Sequence, residues 1–99
     1  MKNITKVILE IKKYFVKNIC PAEEINCGHC DEFAQAVIMD MGGCSENLSD
    51  EVTEGFPYLP QTIGQYWISY NGKHYDSDSP FGVNYPSQLS IFLKNSLWW

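Results

Sequence analysis

A cysteine at position 30 is the residue whose surroundings best suit a nucleophile. It stands in the segment GHCDEFAQAV, directly after Gly28 and His29, at the predicted start of a helix. The amino terminus of a helix carries the positive end of the helix dipole, which favours the thiolate form of a cysteine. Phe33 and Ala34 would anchor the same helix in the core. The pattern therefore predicts a reactive or ligand-facing thiol at Cys30.

Further along the chain, a predicted β-hairpin gathers aromatic and ionisable side chains. The segment IGQYWISY is followed by Asn71-Gly72, a pair that favours a two-residue turn, and then by KHYDSD. Such a turn pairs Ser69 with His74. Because side chains alternate between the two faces of a strand, the hairpin is expected to collect six residues on one face: Gln65, Trp67, Ser69, His74, Asp76 and Asp78.

Two amphipathic helices are predicted to support the cysteine. Apolar residues recur at three- and four-residue steps over residues 4–19, and the helix is expected to end before Pro21. A second helix is predicted over residues 30–41, with Gly42-Gly43 as its stop signal. The predicted buried side chains are Ile4, Val7, Ile8, Ile11, Phe15 and Ile19 in the first helix, and Phe33, Ala34, Val37, Ile38 and Met41 in the second.

The remaining segments predict a small sheet and its connections. Residues 44–62 contain turn-forming residues and two prolines, and are predicted as a loop with room for one short edge strand. Residues 63–78 form the predicted hairpin and residues 80–85 a loop, and Pro86 is expected to open a short helix, PSQLSIFLKNS. The expected fold class is α+β, with N-terminal helices packed on a small antiparallel sheet in one domain over residues 1–99.

Length and charge limit the classes of function. A chain of 99 residues fits one domain, and its 44% of hydrophobic residues suffices for a small core. The net charge of −5 disfavours direct binding to nucleic acid phosphates and suits a partner protein with a basic surface. The acidic side chains expected to meet such a surface are Glu46, Asp50, Glu51 and Glu54.

The sequence also predicts the compartment. No segment approaches the ~18 apolar residues of a membrane span, and the lysine-rich start MKNITKVILEIKKYF is unlike a secretory signal. We therefore expect a cytoplasmic protein that does not bind membranes. Its four cysteines, Cys20, Cys27, Cys30 and Cys44, would then be thiols rather than disulfides.

Taken in order, the two motifs resemble the small papain-like cysteine peptidases. The pattern G-x-C-x-x-F-A, followed by H-x-W-x-x-Y-N-G-K-x-Y-D, looks like this family, which is related in fold to bacterial cell-wall cysteine peptidases and transglutaminase-like domains and has small phage and bacterial forms. The resemblance covers residues 28–83 and implies a minimal papain-like core in which Cys30 is the nucleophile and Asp76 orients a histidine. The matching residues are Gly28, Cys30, Phe33 and Ala34, then Trp67, Tyr70, Asn71, Gly72, Lys73, Tyr75 and Asp76.

The sequence departs from that pattern at the histidine, two residues before Trp67, where Gln65 stands. Glutamine cannot accept and release a proton near neutral pH, so it cannot act as the general base. Two other histidines remain as alternatives. His74 lies on the right hairpin face but about 13 Å along it from Gln65, and His29 would normally point away from Cys30. An engineered exchange of histidine for glutamine is a further alternative.

Other interpretations of the cysteines stay open. Cys30 can be a small buried residue of a helix, the common role of a free cysteine. Cys27 and Cys30 form a C-x-x-C pair, which also occurs in zinc sites and in redox proteins. The other candidate ligands form no second close pair, and the order of elements does not offer a thioredoxin-like setting. We therefore predict no metal and no cofactor.

Two hypotheses of function follow. In the first, the chain is an active cysteine peptidase or amidase with Cys30 as nucleophile and an unidentified base. In the second, the papain-like fold has lost its chemistry and acts as a protein-binding inhibitor. Trp67 and His74 are then candidate binding residues beside the acidic ones. By analogy, such a protein can block a host defence complex, as phage anti-CRISPR proteins do. Gln65 favours the second hypothesis.

Overall fold

The computed structural model describes residues 2–94, which form an α+β fold of helices packed on a four-stranded antiparallel sheet. Three short 3-10 turns connect the elements, at Ala22–Glu24, Thr53–Gly55 and Pro86–Gln88. The elements in chain order are α1 (Ile4–Asn18), α2 (Ile25–Gly28), α3 (Cys30–Asp40), β1 (Leu48–Val52), β2 (Tyr66–Tyr70), β3 (Lys73–Asp76), β4 (Ser79–Val83) and α4 (Ser90–Lys94).

The two long helices confirm the predictions made for residues 4–19 and 30–41. Helix α1 starts at a capping residue, Asn3, whose side chain accepts a hydrogen bond from the Lys6 backbone N–H at 3.1 Å. Four residues of its predicted stripe are buried, whereas Ile11 is only partly buried and Ile19, which lies beyond the last helical residue, is 42% exposed. Helix α3 buries four side chains and is followed by Gly42 and Gly43, both with positive φ.

The hairpin is confirmed in its register and its turn. Strands β2 and β3 pair Tyr70 with Lys73 and Ser69 with His74. The turn residues Asn71 and Gly72 have φ values of 51° and 82°. Two consecutive positive φ angles are the geometry of a type I′ turn, which explains why this residue pair was a strong hairpin signal.

The prediction of a loop over residues 80–85 was wrong, because Ser79–Val83 forms strand β4. Pro80 and Gly82 both argue against a strand, but β4 is an edge strand, where one side of the backbone needs no ladder hydrogen bonds. Gly82 has a φ of 84°, and a Cβ there would lie 2.8 Å from the Tyr75 ring. The glycine thus permits β4 to approach β3 closely.

The other predicted segments agree with the structure. Strand β1 is the short edge strand foreseen within residues 44–62, at the opposite edge of the sheet from β4. Residues 86–96 were predicted as a helix. They form a 3-10 turn followed by α4, and residues 95–96 lie outside the described part of the chain.

Both faces of the sheet are covered by apolar side chains. On one face, α1 and α3 pack against the sheet through a cluster that includes Phe15, Phe33 and Ile68. On the other face, the segment after β1 and the C-terminal turn cover a smaller cluster: Leu59, Trp67, Leu89 and Phe92. Within residues 2–94, no helix is long and apolar enough to cross a membrane.

Candidate functional site

Cys30 is the first residue of α3, as the motif predicts, and its side chain is half-buried. Burial raises the pKa of its thiol, while a hydrogen bond from the backbone N–H of Tyr66 acts in the opposite direction, and the charge of Asp31 raises the pKa further. The net shift is opposite to the one expected from the helix terminus. The Tyr66 backbone amide that acts on the thiol belongs to the first residue of β2, next to Gln65 in the chain.

Gln65 is a core residue, with 1% of its surface exposed. Its backbone N–H donates to Thr53 Oγ1 at 2.9 Å, and its carbonyl accepts from the Thr53 backbone N–H at 3.1 Å. The side-chain amide donates to Asn26 Oδ1 at 3.3 Å. Across the described residues, the Gln65 side chain has no hydrogen bond to Cys30 or Asp76, so it holds a structural position.

Asp76 ends strand β3 and is 2% exposed. Its Oδ1 accepts a hydrogen bond from the Asp78 backbone N–H at 2.9 Å, whereas its Oδ2 has no partner among residues 2–94. Burial raises the pKa of this carboxyl to about 6. The Asp78 backbone N–H opposes the shift, the Asp78 charge adds to it, and the Ser79 backbone N–H and hydroxyl also oppose it. Oδ2 nevertheless forms no hydrogen bond among the described residues.

A polar network joins these two residues indirectly. Asn26 accepts from Gln65 through its carbonyl and donates to Asp78 Oδ2 at 3.1 Å. Asp78 also accepts from Ser90 Oγ at 3.0 Å and forms a salt bridge with Lys12 at 3.5 Å. The network thus connects α1, α2, the β3–β4 turn and α4 around the site.

Sequence reasoning missed four members of this network: Asn26, Asp78, Lys12 and Ser90. Asp78 had been placed on the same hairpin face as Asp76, and that alternation was the available signal for it. The partner Asn26 lies 52 positions away from Asp78 in the chain. A lone asparagine, lysine or serine at such a separation carries no local pattern that would reveal the contact.

His74 lies at the other end of the hairpin and is engaged with a core residue. Its Nδ1 accepts a hydrogen bond from Trp67 Nε1 at 3.0 Å. Because an indole N–H only donates, Nδ1 must be unprotonated and the ring proton must lie on Nε2. Burial lowers the pKa of His74. Trp67 itself is wholly buried, so its predicted role as a partner-binding residue does not agree with its place in the core.

The other histidine contacts a glutamate of the helix that follows it. His29 Nδ1 lies 3.2 Å from Glu32 Oε1, on the exposed side of the first turn of α3. A shallow cavity of about 250 Å³ lies beside the motif and is lined by Glu24, Cys27, Gly28 and His29.

The cysteines are free thiols in the structure. Cys20 is buried, Cys30 is half-buried, and Cys27 and Cys44 are exposed. Within the described range, no three His, Cys, Asp or Glu side chains are grouped so that they could hold a metal ion. The C-x-x-C pair therefore lacks the further ligands of a structural zinc site.

The four predicted acidic binding residues lie around the edge strand β1. Glu46 precedes the strand and Glu54 follows it, and both are exposed. Asp50 pairs with Ile68, whereas Glu51 pairs with Trp67, so the two carboxylates point to opposite faces of the sheet. None of the four forms a salt bridge with another residue of the described chain.

No known protein family, curated protein or solved structure matches the chain.

Proposed function

We propose that this chain is a protein-binding inhibitor built on a papain-like cysteine-hydrolase fold that has lost its general base. The observation that carries the proposal is the state of Gln65. Its side chain is buried, its amide donates to Asn26, and it lies next in the chain to the residue that contacts the Cys30 sulfur. An amide in that place can hold geometry but cannot take the proton of the thiol.

The unpartnered oxygen of Asp76 supports this interpretation of the site. A catalytic carboxylate in a cysteine-hydrolase site accepts a hydrogen bond from the histidine that it orients. Asp76 is buried and is linked to Gln65 through Asn26 and Asp78, and its Oδ2 forms no hydrogen bond among the described residues. A carboxylate in this state is the expected consequence of exchanging the histidine for glutamine.

The protonation of Cys30 supports the loss of chemistry. The thiolate is the nucleophilic form of cysteine, and reactive cysteines owe it to a neighbouring cation or a dipole. The pKa of Cys30 is instead raised, above all by burial. At neutral pH the side chain is then a neutral thiol.

The acidic residues around β1 support a protein partner with a basic surface. Glu46, Asp50, Glu51 and Glu54 concentrate negative charge along one sheet edge. Complementary charge steers association and selects partners. We further propose that the partner is a host defence complex and that the chain is a phage-type, anti-CRISPR-like protein. We also expect it to be cytoplasmic and not to bind nucleic acid directly.

Replacing Gln65 by histidine tests the proposal. We expect the pH midpoint of Cys30 alkylation by iodoacetamide to fall by about one unit or more in Gln65→His, because an imidazolium beside sulfur stabilises the thiolate. Peptide mass spectrometry reports each cysteine separately, and the exposed Cys27 serves as the internal reference. The control Gln65→His/Asp76→Ala should lose part of the shift. An unchanged profile in the single variant would show that Gln65 does not occupy the histidine position.

The partner surface needs a separate test with matched charge. Binding of lysine- and arginine-rich peptides should weaken in Glu51→Lys/Glu54→Lys and persist in Glu23→Lys/Glu24→Lys, which changes the net charge equally at exposed residues elsewhere. Equal weakening in both variants would mean that only the net charge matters and that β1 is not a binding surface.

The alternative function is an active cysteine peptidase or amidase with Cys30 as nucleophile. It is favoured by one observation, the partial exposure of the thiol beside the Tyr66 amide. Hydrolysis of an unstructured protein substrate by the wild type, abolished in Cys30→Ala, would establish this alternative and overturn the loss of the base.

A further inference from the structure

The charges of this acidic chain are divided between two regions. Five of its seven lysines lie within residues 1–18, which contain a single acidic residue, Glu10. The remaining residues carry eleven acidic side chains and two lysines. Helix α1 is therefore a basic element on a molecule whose net charge is −5.

Three of these lysines share the outer side of α1. Lys6, Lys13 and Lys17 are separated by seven and four residues, which places them on one side of a helix. All three are exposed, and within residues 2–94 none of them forms a salt bridge. Leu9 and Val16 lie along the same side, and each is 47% exposed. The exposed Glu10, four residues after Lys6, also lies on this side, so three lysines and one glutamate leave it a net charge of +2. We call Lys6, Lys13, Lys17, Leu9 and Val16 the basic face.

The two other lysines of this segment have partners within the molecule. Lys2 forms a salt bridge with Asp40 at 3.1 Å, and Lys12 forms one with Asp78 at 3.5 Å. Lys2 and Lys12 are therefore already neutralised within the molecule, whereas, among the described residues, the three lysines of the basic face are not.

Acidic side chains flank the edge strand β1 on both sides, because Asp50 and Glu51 point to opposite faces of the sheet and Glu46 and Glu54 lie exposed at the two ends of the strand. We call these four residues the acidic face; the exposed Tyr58 lies nearby in the chain. Helix α1 packs on α3 and β4, whereas β1 is the opposite edge of the sheet. The outer side of α1 and the acidic face of one molecule therefore do not meet.

We infer that the basic face of α1 docks on the acidic face of a second copy of this chain. The inference rests on the proposed function, in that the acidic face takes a basic protein surface, and it names that surface. Lys6 to Lys17 spans about 16 Å of helix. The five residues of β1, Leu48–Val52, span about 13 Å from the first Cα to the last, so the row of lysines is about as long as the edge strand that the carboxylates flank. Docking would also cover Leu9 and Val16.

The charge balance favours a protein partner over an extended anion. A lipid bilayer or a nucleic acid presents negative charge well beyond the basic face, and the eleven acidic residues outside α1 would be repelled by it. A localised acidic face meets the lysines without this repulsion. The two docking surfaces differ, so the contact is head-to-tail, and it forms a ring or an open chain rather than stopping at two copies.

Sedimentation velocity under reducing conditions tests this contact. For the wild type, we expect the weight-average mass to rise with protein concentration at about 20 mM salt and to return to the monomer value at about 500 mM, because salt screens surface charges. Lys13→Glu/Lys17→Glu and Glu51→Lys/Glu54→Lys should each be monomeric at low salt. Glu23→Lys/Glu24→Lys, which has the same net charge as the second variant, should associate like the wild type.

A mixture of the two monomeric variants tests directly whether the basic face of one copy binds the acidic face of another. Each variant retains the face that the other has lost, so the mixture should associate at low salt. A monomeric wild type at low salt, or a mixture that stays monomeric, overturns the inference. Salt-sensitive binding of the wild type to phosphatidylserine vesicles, lost in Lys13→Glu/Lys17→Glu, would assign the basic face to lipid instead. If peptide binding to the acidic face persists while self-association fails, the inference fails and the proposed function does not.

Discussion

The two ends of the β2–β3 hairpin carry different side chains: buried polar groups lie where β2 begins, and a histidine and a tryptophan lie towards the turn. Beside Cys30, where β2 begins, the buried polar groups are Gln65, Asn26 and Asp76, joined through Asp78. About 10 Å away, three residues along β2 from Tyr66, His74 lies opposite Ser69 and accepts a side-chain hydrogen bond from the core residue Trp67. Among the hairpin residues, the cysteine end thus supplies a carboxylate and an amide but no imidazole, and the turn end supplies an imidazole but no thiol.

This division separates the roles that a cysteine hydrolase must combine. Proton transfer requires the base within hydrogen-bond reach of the nucleophile. The hydrogen bond to Trp67 fixes His74 in the aromatic cluster, with its pKa lowered by burial. The polar end is a structural network. Two buried side-chain atoms beside it, Asp76 Oδ2 and Ser77 Oγ, have no hydrogen-bond partner among the described residues. The comparison predicts that mutations at the two ends will change the free energy of unfolding by different amounts, and that only the polar end will make it depend on pH.

The largest effect is expected at the aromatic end, from Trp67→Ala. Trp67 is fully buried and packs against the rings of Phe56 and Phe92 at centroid distances of 5.3 and 5.8 Å. Its removal should lower the free energy of unfolding by about 3–5 kcal/mol. Urea denaturation measures this loss, with Tyr58→Ala, which is 60% exposed, as the control. A loss below that of the control would show that the second cluster contributes little.

A slightly smaller loss is expected at the polar end, from Asn26→Ala. The change leaves the buried Gln65 amide without its acceptor and removes a donor to Asp78. Unsatisfied buried groups cost about 1–3 kcal/mol each, so we expect a loss of about 2–3 kcal/mol in urea denaturation. Asn47→Ala, at an exposed position, should be nearly neutral. Equal stability of both variants would show that the network does not stabilise the fold.

The sequence predicts the local parts of this division and misses the long-range ones. The turn at Asn71-Gly72 and the helix that starts at Cys30 follow from residue preferences within a few positions. The network around Asn26 does not, because its contacts join segments that are far apart in the chain. Strand β4 was missed for a different reason: Pro80 and Gly82 oppose a strand locally, and only pairing with β3 beside the Tyr75 ring stabilises it.

The buried carboxyl at the polar end predicts a dependence of stability on pH. The pKa of Asp76 is raised from 3.8 to about 6, so between those values the folded chain binds more protons than the unfolded one. Stability should therefore fall as pH rises through this window, by up to about 2–3 kcal/mol. Asp78 is the charged group that acts on this carboxyl, and Lys12 forms a salt bridge with Asp78. Asp76→Asn should flatten the slope in denaturation series from pH ~4 to ~6.5.

A matched control separates this effect from general acid titration. Glu46→Gln removes an exposed carboxyl and should retain the slope. If the free energy of unfolding of Asp76→Asn still falls with rising pH, another group causes the pH dependence. The polar end would then not be distinguished from the aromatic end by a buried titrating carboxyl.

The smallest effect is expected from His74→Ala, and it tests the division most directly. The change removes the acceptor of the Trp67 N–H and leaves the indole in place, which should cost about 1 kcal/mol. Trp67→Phe removes the donor, and the double variant completes a cycle whose coupling energy isolates the hydrogen bond. Because His74 lies at the turn end, the pH profile of Cys30 alkylation should not change. A shift of that profile in His74→Ala would show that the imidazole acts on the thiol, and the chain would then have to be considered a hydrolase with an unusual base.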